Sequence, residues 1–281
     1  MRGAPGGAGL AAVFAADGPF FVIAGPCVLE NDDLNLSVGD ALARIADDLD
    51  LPIVFKASFD KANRSRPEAP RGPGLDDGLR RLERVRDATG LPLLTDVHDP
   101  DQCAEVAAVC DVLQIPAFLC RQTDLLQAAG ATGRTVNIKK GQWMAPEEMA
   151  GAVEKVRRAQ QGRGAVVVTE RGTFYGYGDL VVDMRSFARM RRATGARVVF
   201  DGTHSVQRPG RGDGMSGGEP EFIAPLVRAA VVAGAGALFL EVHPAPETAP
   251  SDSTNMLRLD SFRPLLEDVL ALRAALAERG G

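Results

Sequence analysis

Residues 92–116 read PLLTDVHDPDQCAEVAAVCDVLQIP, and they carry the fold in miniature. Pro92–Val97 is a short apolar run, and Val112–Pro116 is another. Runs this brief and this nearly continuous suit parallel strands covered on both faces. Between them Asp99-Pro100-Asp101 opens a helix that starts at Asp99 or Pro100 and reaches Ala108; proline and acidic residues belong in a first helical turn.

The same alternation runs outward in both directions. Candidate strands are Phe20–Ala24, Pro52–Ala57, Thr135–Lys139, Ala165–Thr169, Arg197–Asp201 and Ala237–Val242, eight with the first two. Asp33–Leu49 carries Leu34, Val38, Leu42, Ile45 and Leu49 at helical spacing. Pro146–Arg158, Glu219–Ala233 and Ser261–Glu278 are further helices. Eight strand–helix units at this length predict an α/β fold, a (β/α)8 TIM barrel, for which about 250 residues is typical. A doubly wound open sheet is the structural rival, but Gly25-Pro26-Cys27 after the first strand is not a dinucleotide-binding turn. Residues 20–281 therefore read as one catalytic barrel and residues 1–19 as a tail. Leu10–Ala16 followed by Asp17-Gly18 is a candidate hairpin strand that would close the barrel bottom, with a disordered leader as the alternative.

The formal net charge is −5, which argues against nucleic acid as a partner. No apolar run is long enough to cross a membrane. Cys27, Cys103, Cys110 and Cys120 form no CxxC pair and suit a reducing cytoplasm; Cys103 and Cys110 read as core residues of one helix.

Barrel chemistry sits where strands end and loops begin. Those places hold Cys27 and Glu30; Lys56, Ser58, Asp60, Lys61, Asn63 and Arg64; Asp96 and His98; Gln114 and Arg121; Asn137, Lys139, Lys140 and Gln142; Glu170 and Arg171; Asp201 and His204; and Glu241, His243 and Asp252. All three histidines are among them. Lys56 and Lys139 directly follow apolar runs, where an unpaired charge is costly. Many cations converging on one mouth of an acidic protein point to a polyanionic, phosphorylated substrate. Cys27, His204, Glu241 and Asp252 are plausible ligands for a divalent transition metal, because the first, seventh and eighth strands become neighbours when a barrel closes. The Gly-rich stretch within Gln207–Gly218 reads either as a mobile lid or as surface loop.

From Phe21 onward these residues resemble the 3-deoxy-D-manno-octulosonate 8-phosphate synthase family. The motifs are IAGPCVLE at 23–30, FKASFDKANRS at 55–65, RGPGL at 71–75, QIPAFLCRQTDL at 114–125, NIKKGQ at 137–142, GYGDLVVDMRS at 176–186 and THSVQ at 203–207. The resemblance implies a barrel, a homotetramer, and condensation of phosphoenolpyruvate with arabinose 5-phosphate. It assigns the phosphate and carboxylate of phosphoenolpyruvate to Lys56, Lys61, Lys139, Gln142 and Arg171. Asn63, Arg64 and Ser65 would bind arabinose 5-phosphate, Asp96 would position the sugar, and Arg121 would reach its phosphate from a neighbouring subunit. Ser58 and Gln114 join the substrate-binding set. Lys56, Asn63, Asp96, Lys139, His204 and Asp252 are the candidate catalytic residues. Cys27 matches the metal-dependent branch of the family, with His204, Glu241 and Asp252 as co-ligands for Fe, Zn, Mn or Co. The metal's task is left open among orienting the aldehyde, polarising it and activating water.

Two departures stand out. Arg66-Pro67-Glu68-Ala69-Pro70 replaces the usual Ser-Ile-His before RGPG, and Phe174-Tyr175 replaces the commoner Thr-Phe. The alternatives are a 3-deoxy-D-arabino-heptulosonate 7-phosphate synthase using erythrose 4-phosphate, whose motif would be of a Lys-Pro-Arg-Thr-Ser type rather than KANRS, and a non-catalytic anion-binding barrel.

Overall fold

The structure is a computed structural model that describes residues 7–64, 66–174, 178–209 and 217–279. Eight parallel strands close on themselves: β1 (Val22–Gly25), β2 (Ile53–Lys56), β3 (Leu93–Asp96), β4 (Val112–Ile115), β5 (Thr135–Lys139), β6 (Val166–Glu170), β7 (Arg197–Asp201) and β8 (Ala237–His243). Each pairs with the next in sequence, and β8 returns to β1 with Glu241 opposite Gly25. The (β/α)8 barrel read from residues 92–116 is the fold observed.

Nine α-helices lie among the described residues: α1 (Gly7–Phe14), α2 (Asp32–Leu49), α3 (Leu75–Thr89), α4 (Gln102–Val109), α5 (Thr123–Ala131), α6 (Met149–Gln160), α7 (Ser186–Thr194), α8 (Ile223–Val232) and α9 (Leu259–Glu278). The apolar faces of α2 to α9 pack on the outside of the strands, in a layer that includes Val38, Leu42, Leu82, Val106, Leu126, Val156, Phe187, Val227 and Phe262. Cys103 and Cys110 are buried in that layer, but only Cys103 lies on α4, since the helix ends at Val109 and Cys110 is extended just past it. Local chemistry fixes several boundaries. Asn31 caps α2 by accepting from the Leu34 amide at 2.9 Å, with Asp32 and Asp33 in the positive first turn. Pro146 and Pro220 each open a 3-10 turn, so α6 and α8 begin three residues after them.

The expected hairpin strand before β1 is corrected: Gly7–Phe14 is a helix. Its sequence, GAGLAAVF, is rich in alanine, the strongest helix former, and a closed barrel offers no free edge for another strand. The plug itself remains. Val13 and Phe14 pack with Phe21, Ile23, Val54, Leu94, Val112, Val167, Val199, Ala237 and Phe239 inside the lower barrel. Phe14 meets Phe21 edge to face at 4.9 Å. Gly18 follows as a turn, and its carbonyl accepts from Arg197 Nη1 at 2.6 Å.

Candidate active site

Strand periodicity builds the mouth. Successive side chains of a strand alternate between faces, so a polar residue two places beyond an inward apolar one also points inward. Val54 is followed by Lys56, Leu94 by Asp96, Val112 by Gln114, Val199 by Asp201 and Phe239 by Glu241. On β6 Val167 leads through Thr169 to Arg171 just past the strand. An apolar floor therefore changes to a polar layer along each of these six strands.

Above that layer opens a cavity of about 530 Å³, lined by Lys56, Ser58, Lys61, Asn63, Arg64, Asp96, Gln114, Lys139, Gln142, Arg171, His204 and Asp252 among others. Each of these twelve was expected in the site. Lys56, Lys139, Gln142 and Arg171 are buried at the floor, whereas Asn63 and Arg64 belong to the rim. Lys56 Nζ donates to Glu241 Oε1 at 2.6 Å and to the Cys27 carbonyl at 2.9 Å. Lys139 pairs with Asp201 and lies 3.4 Å above the Phe239 ring centroid. Burial pulls the Lys139 pKa below its ordinary value even with Asp201 and Glu241 nearby. Burial does the same to Arg171. Asp96 is pushed up by burial, but the hydrogen bond and charge of His98, with Lys56 and Lys61, outweigh that and hold it below the carboxylate range.

Cys27, Glu241 and Asp252 bring one donor atom each within 4.8 Å of one another. Cys27 Sγ is 2.9 Å from Asp252 Oδ2. His204 falls outside that compact trio, although its Nε2 is 3.6 Å from Glu241 Oε2. Its Nδ1 contacts Asp201 Oδ2 at 2.8 Å. Burial and then the charges of Asp252 and Glu241 push the Cys27 thiol well up. Glu241 Oε2 is buried without a hydrogen-bond partner. A thiol, an imidazole and two carboxylates around an unpartnered oxygen form a donor set that suits a divalent transition metal. A cation there would neutralise the charges that now oppose the thiolate.

Unpartnered buried polar atoms gather at this mouth: Ser58 Oγ, Asp96 Oδ1, Gln142 Oε1 and Arg171 Nη1, besides Glu241 Oε2. Buried polar groups are nearly always hydrogen-bonded; Ser58 Oγ and Arg171 Nη1 can donate to an anionic ligand, whereas the Asp96, Gln142 and Glu241 oxygens accept and would be met by ligand hydroxyls or a cation.

Arg121, His243 and Lys140 lie apart from this cavity. Arg121 is exposed and lines a neighbouring recess of about 480 Å³ with His98, Leu119 and Asp124. Ser65 is outside the described residues, as are Tyr175 and residues 210–216 of the Gly-rich stretch. His243 shares the strand-end position of the other two histidines but not their exposure to the cavity: it is buried, close to Glu30 Oε1 at 3.0 Å, while its Nδ1 accepts from the Ala245 amide. It is a structural tie. Lys140 also faces away from the mouth.

Gln207, which is not among the strand-end residues, also takes part. Gln207 bridges the two halves, accepting from Arg171 Nη2 at 2.6 Å and donating to Asp252 Oδ1 at 2.8 Å. Arg64 is held by the carbonyls of Pro70 at 2.9 Å and Pro250 at 3.0 Å, and by Ser251 Oγ at 3.0 Å. The altered 66–70 loop thus fastens the arginine it follows. Asn137 joins Gln114 to Thr169 across the barrel interior. Only the THSVQ motif carried a signal for Gln207; two of the three partners of Arg64, Pro250 and Ser251, lie 186 and 187 residues away and had none.

A closed barrel with a basic mouth and a thiol–carboxylate trio, two of its members buried, defines a class, and the sequence profile of the DAHP synthetase I family matches residues 11–275. The chain belongs to that family. Within it, the chain is 52% identical over 261 residues to a 2-dehydro-3-deoxyphosphooctonate aldolase of Syntrophotalea carbinolica, covering 93% of each chain. It is also 52% identical over 259 residues to the protein of that name from Cyanothece sp., covering 92% of this chain and 94% of the other. A Bradyrhizobium sp. protein of the same name is 53% identical over 258 residues, covering 92% and 90%.

Proposed function

We propose that the chain condenses phosphoenolpyruvate with D-arabinose 5-phosphate and water, giving 3-deoxy-D-manno-octulosonate 8-phosphate and inorganic phosphate, a step in making a lipopolysaccharide sugar. The observation that carries this reading is the cavity in which a buried cationic floor meets a rim formed by the KANR segment, on a chain matched nearly end to end by proteins named for that product.

Both substrates are anions, so their mutual repulsion must be offset before they can meet. Lys56, Lys61, Lys139, Gln142 and Arg171 hold the phosphate and carboxylate of phosphoenolpyruvate. Asn63, Arg64 and Ser65 hold the sugar phosphate end, with Asp96, Ser58 and Gln114 setting the orientation of the two partners. Carbon 3 of phosphoenolpyruvate then forms a bond to the sugar aldehyde carbon, whose oxygen takes up a proton. Water adds at carbon 2 of phosphoenolpyruvate, and phosphate leaves with its bridging oxygen as the ketone forms. Most of the acceleration expected from such a site comes from holding the partners in register. Cys27, His204, Glu241 and Asp252 would hold a divalent ion of Fe, Zn, Mn or Co, which when bound supplies positive charge for orienting or polarising the aldehyde or for activating water. The working assembly is a homotetramer in which Arg121 of one subunit completes the sugar-phosphate site of another.

The test is phosphate release from phosphoenolpyruvate with either arabinose 5-phosphate or erythrose 4-phosphate, before and after chelation. The five-carbon sugar is expected to give the higher kcat/KM, with activity lost on chelation and restored by a divalent ion. Preference for erythrose 4-phosphate would overturn the substrate assignment, and full activity in excess chelator would overturn the metal.

A further inference from the structure

Lys140 and Glu170 are buried charges that the reaction above does not use. Lys140 follows Lys139, and alternation along β5 turns it outward from the barrel. Its Nζ lies 3.5 Å from Glu170 Oε1 and donates to Thr173 Oγ1 at 3.1 Å, the Gly141 carbonyl at 3.3 Å and the Met144 carbonyl at 3.4 Å. Glu170 in turn accepts from the Gly172 amide at 2.8 Å and from Ser186 Oγ at the start of α7. One ion pair therefore joins the exit loop of β5, the exit loop of β6 and a helix N-terminus.

The segments it joins carry anion-binding side chains. Gln142 lies between the two carbonyls that Lys140 holds, and its own carbonyl accepts from the Phe174 amide at 2.8 Å. Arg171 directly follows Glu170. Both residues line the cavity, and Arg171 Nη1, a donor, is buried there without a partner. Hydrophobic residues of similar volume often replace a buried ion pair at no cost in stability, so packing alone does not call for charges here. What an ammonium adds is directed donors onto a short loop between two walls of the site.

We infer that Lys140, held by Glu170, is a positioning residue that fixes Gln142 and Arg171 for the carboxylate and phosphate of phosphoenolpyruvate. This rests on the proposed function for the identity of the anion. The test compares metal-loaded wild type, Lys140→Met and the charge-neutral pair Lys140→Met/Glu170→Gln, with phosphoenolpyruvate affinity read by calorimetry and KM read for each substrate. Both variants are expected to bind phosphoenolpyruvate about ten-fold more weakly, with KM for the sugar changed less than about two-fold, the split expected when only one partner is displaced. A merely structural pair would behave otherwise: removing both charges would restore affinity along with stability, and that outcome overturns the inference. Equal weakening of both substrates also overturns it. If the single variant fails to fold, the double variant decides. If both fail, Thr173→Val, which deletes one acceptor at near-constant volume, must weaken phosphoenolpyruvate binding about three-fold, and unchanged binding refutes the idea. Failure of the wild type to bind phosphoenolpyruvate would instead strike the proposed function, and this inference with it.

Discussion

Arg64 shows what one side chain gains from its surroundings. Two backbone carbonyls and a serine hydroxyl direct its guanidinium, with Ser251 itself 3.3 Å from Asp252. Its charge is thereby aimed from the rim before any ligand arrives. We predict that Arg64→Ala weakens arabinose 5-phosphate binding by about 1.5–3 kcal/mol, the range for a hydrogen bond to a charged group. Phosphoenolpyruvate binding should stay near the wild-type value. Calorimetry with each substrate separately checks this, and equal losses would show that the sugar site is misassigned. The arginine's place at the cavity was readable from KANRS, but its anchorage was not. Pro250 and Ser251 reach it only because the loop after β8 returns over the mouth, a long-range contact with no local sequence signature. Lys56, Asp96 and Lys139 were legible for the opposite reason: each stands at the end of a short apolar strand run, where a barrel carries its chemistry.

At the scale of elements, legibility followed burial. All eight barrel strands were found because parallel strands covered on both faces leave a continuous apolar run. Helices were harder. In α3, LDDGLRRLERVRDAT, charged residues dominate and only Gly78, Leu79, Leu82 and Val85 are buried, so its apolar stripe is narrow. Just past α1 the Asp17-Gly18 pair suggested a hairpin, yet composition and the closed sheet favoured a helix. That helix closes the barrel through Phe14, which is 1% exposed. We predict that Phe14→Ala costs about 3–5 kcal/mol of stability, the transfer and cavity cost of deleting a buried ring. Because Phe14 packs beneath the polar layer, KM for both substrates should change little. Urea unfolding of the variant beside wild type, with kinetics on the folded fraction, measures both quantities. A loss below about 1 kcal/mol would mean that α1 does not seal the barrel.

The whole molecule raises the question of where the site ends. Within one chain the cavity is lined from strands β2 to β8 and their exit loops, yet Arg121 stands outside it, exposed beside a recess that shares His98 and Leu119 with the cavity wall. Its own chain offers two local roles, closing the loop after β4 or pairing with Asp124, and no ion pair between Arg121 and Asp124 is present among the described residues. An exposed arginine next to a basic mouth can instead be supplied to a neighbouring copy, and we predict that it is. Arg121→Ala and His204→Ala should each be inactive alone. Mixed under conditions that let subunits exchange, they should generate some sites with intact His204 from one chain and intact Arg121 from the other, and phosphate release should return in those hybrids. Native mass spectrometry of the mixture verifies exchange independently of activity. If hybrids form and turnover stays at the level of the parents, Arg121 acts within its own chain and the site is not shared.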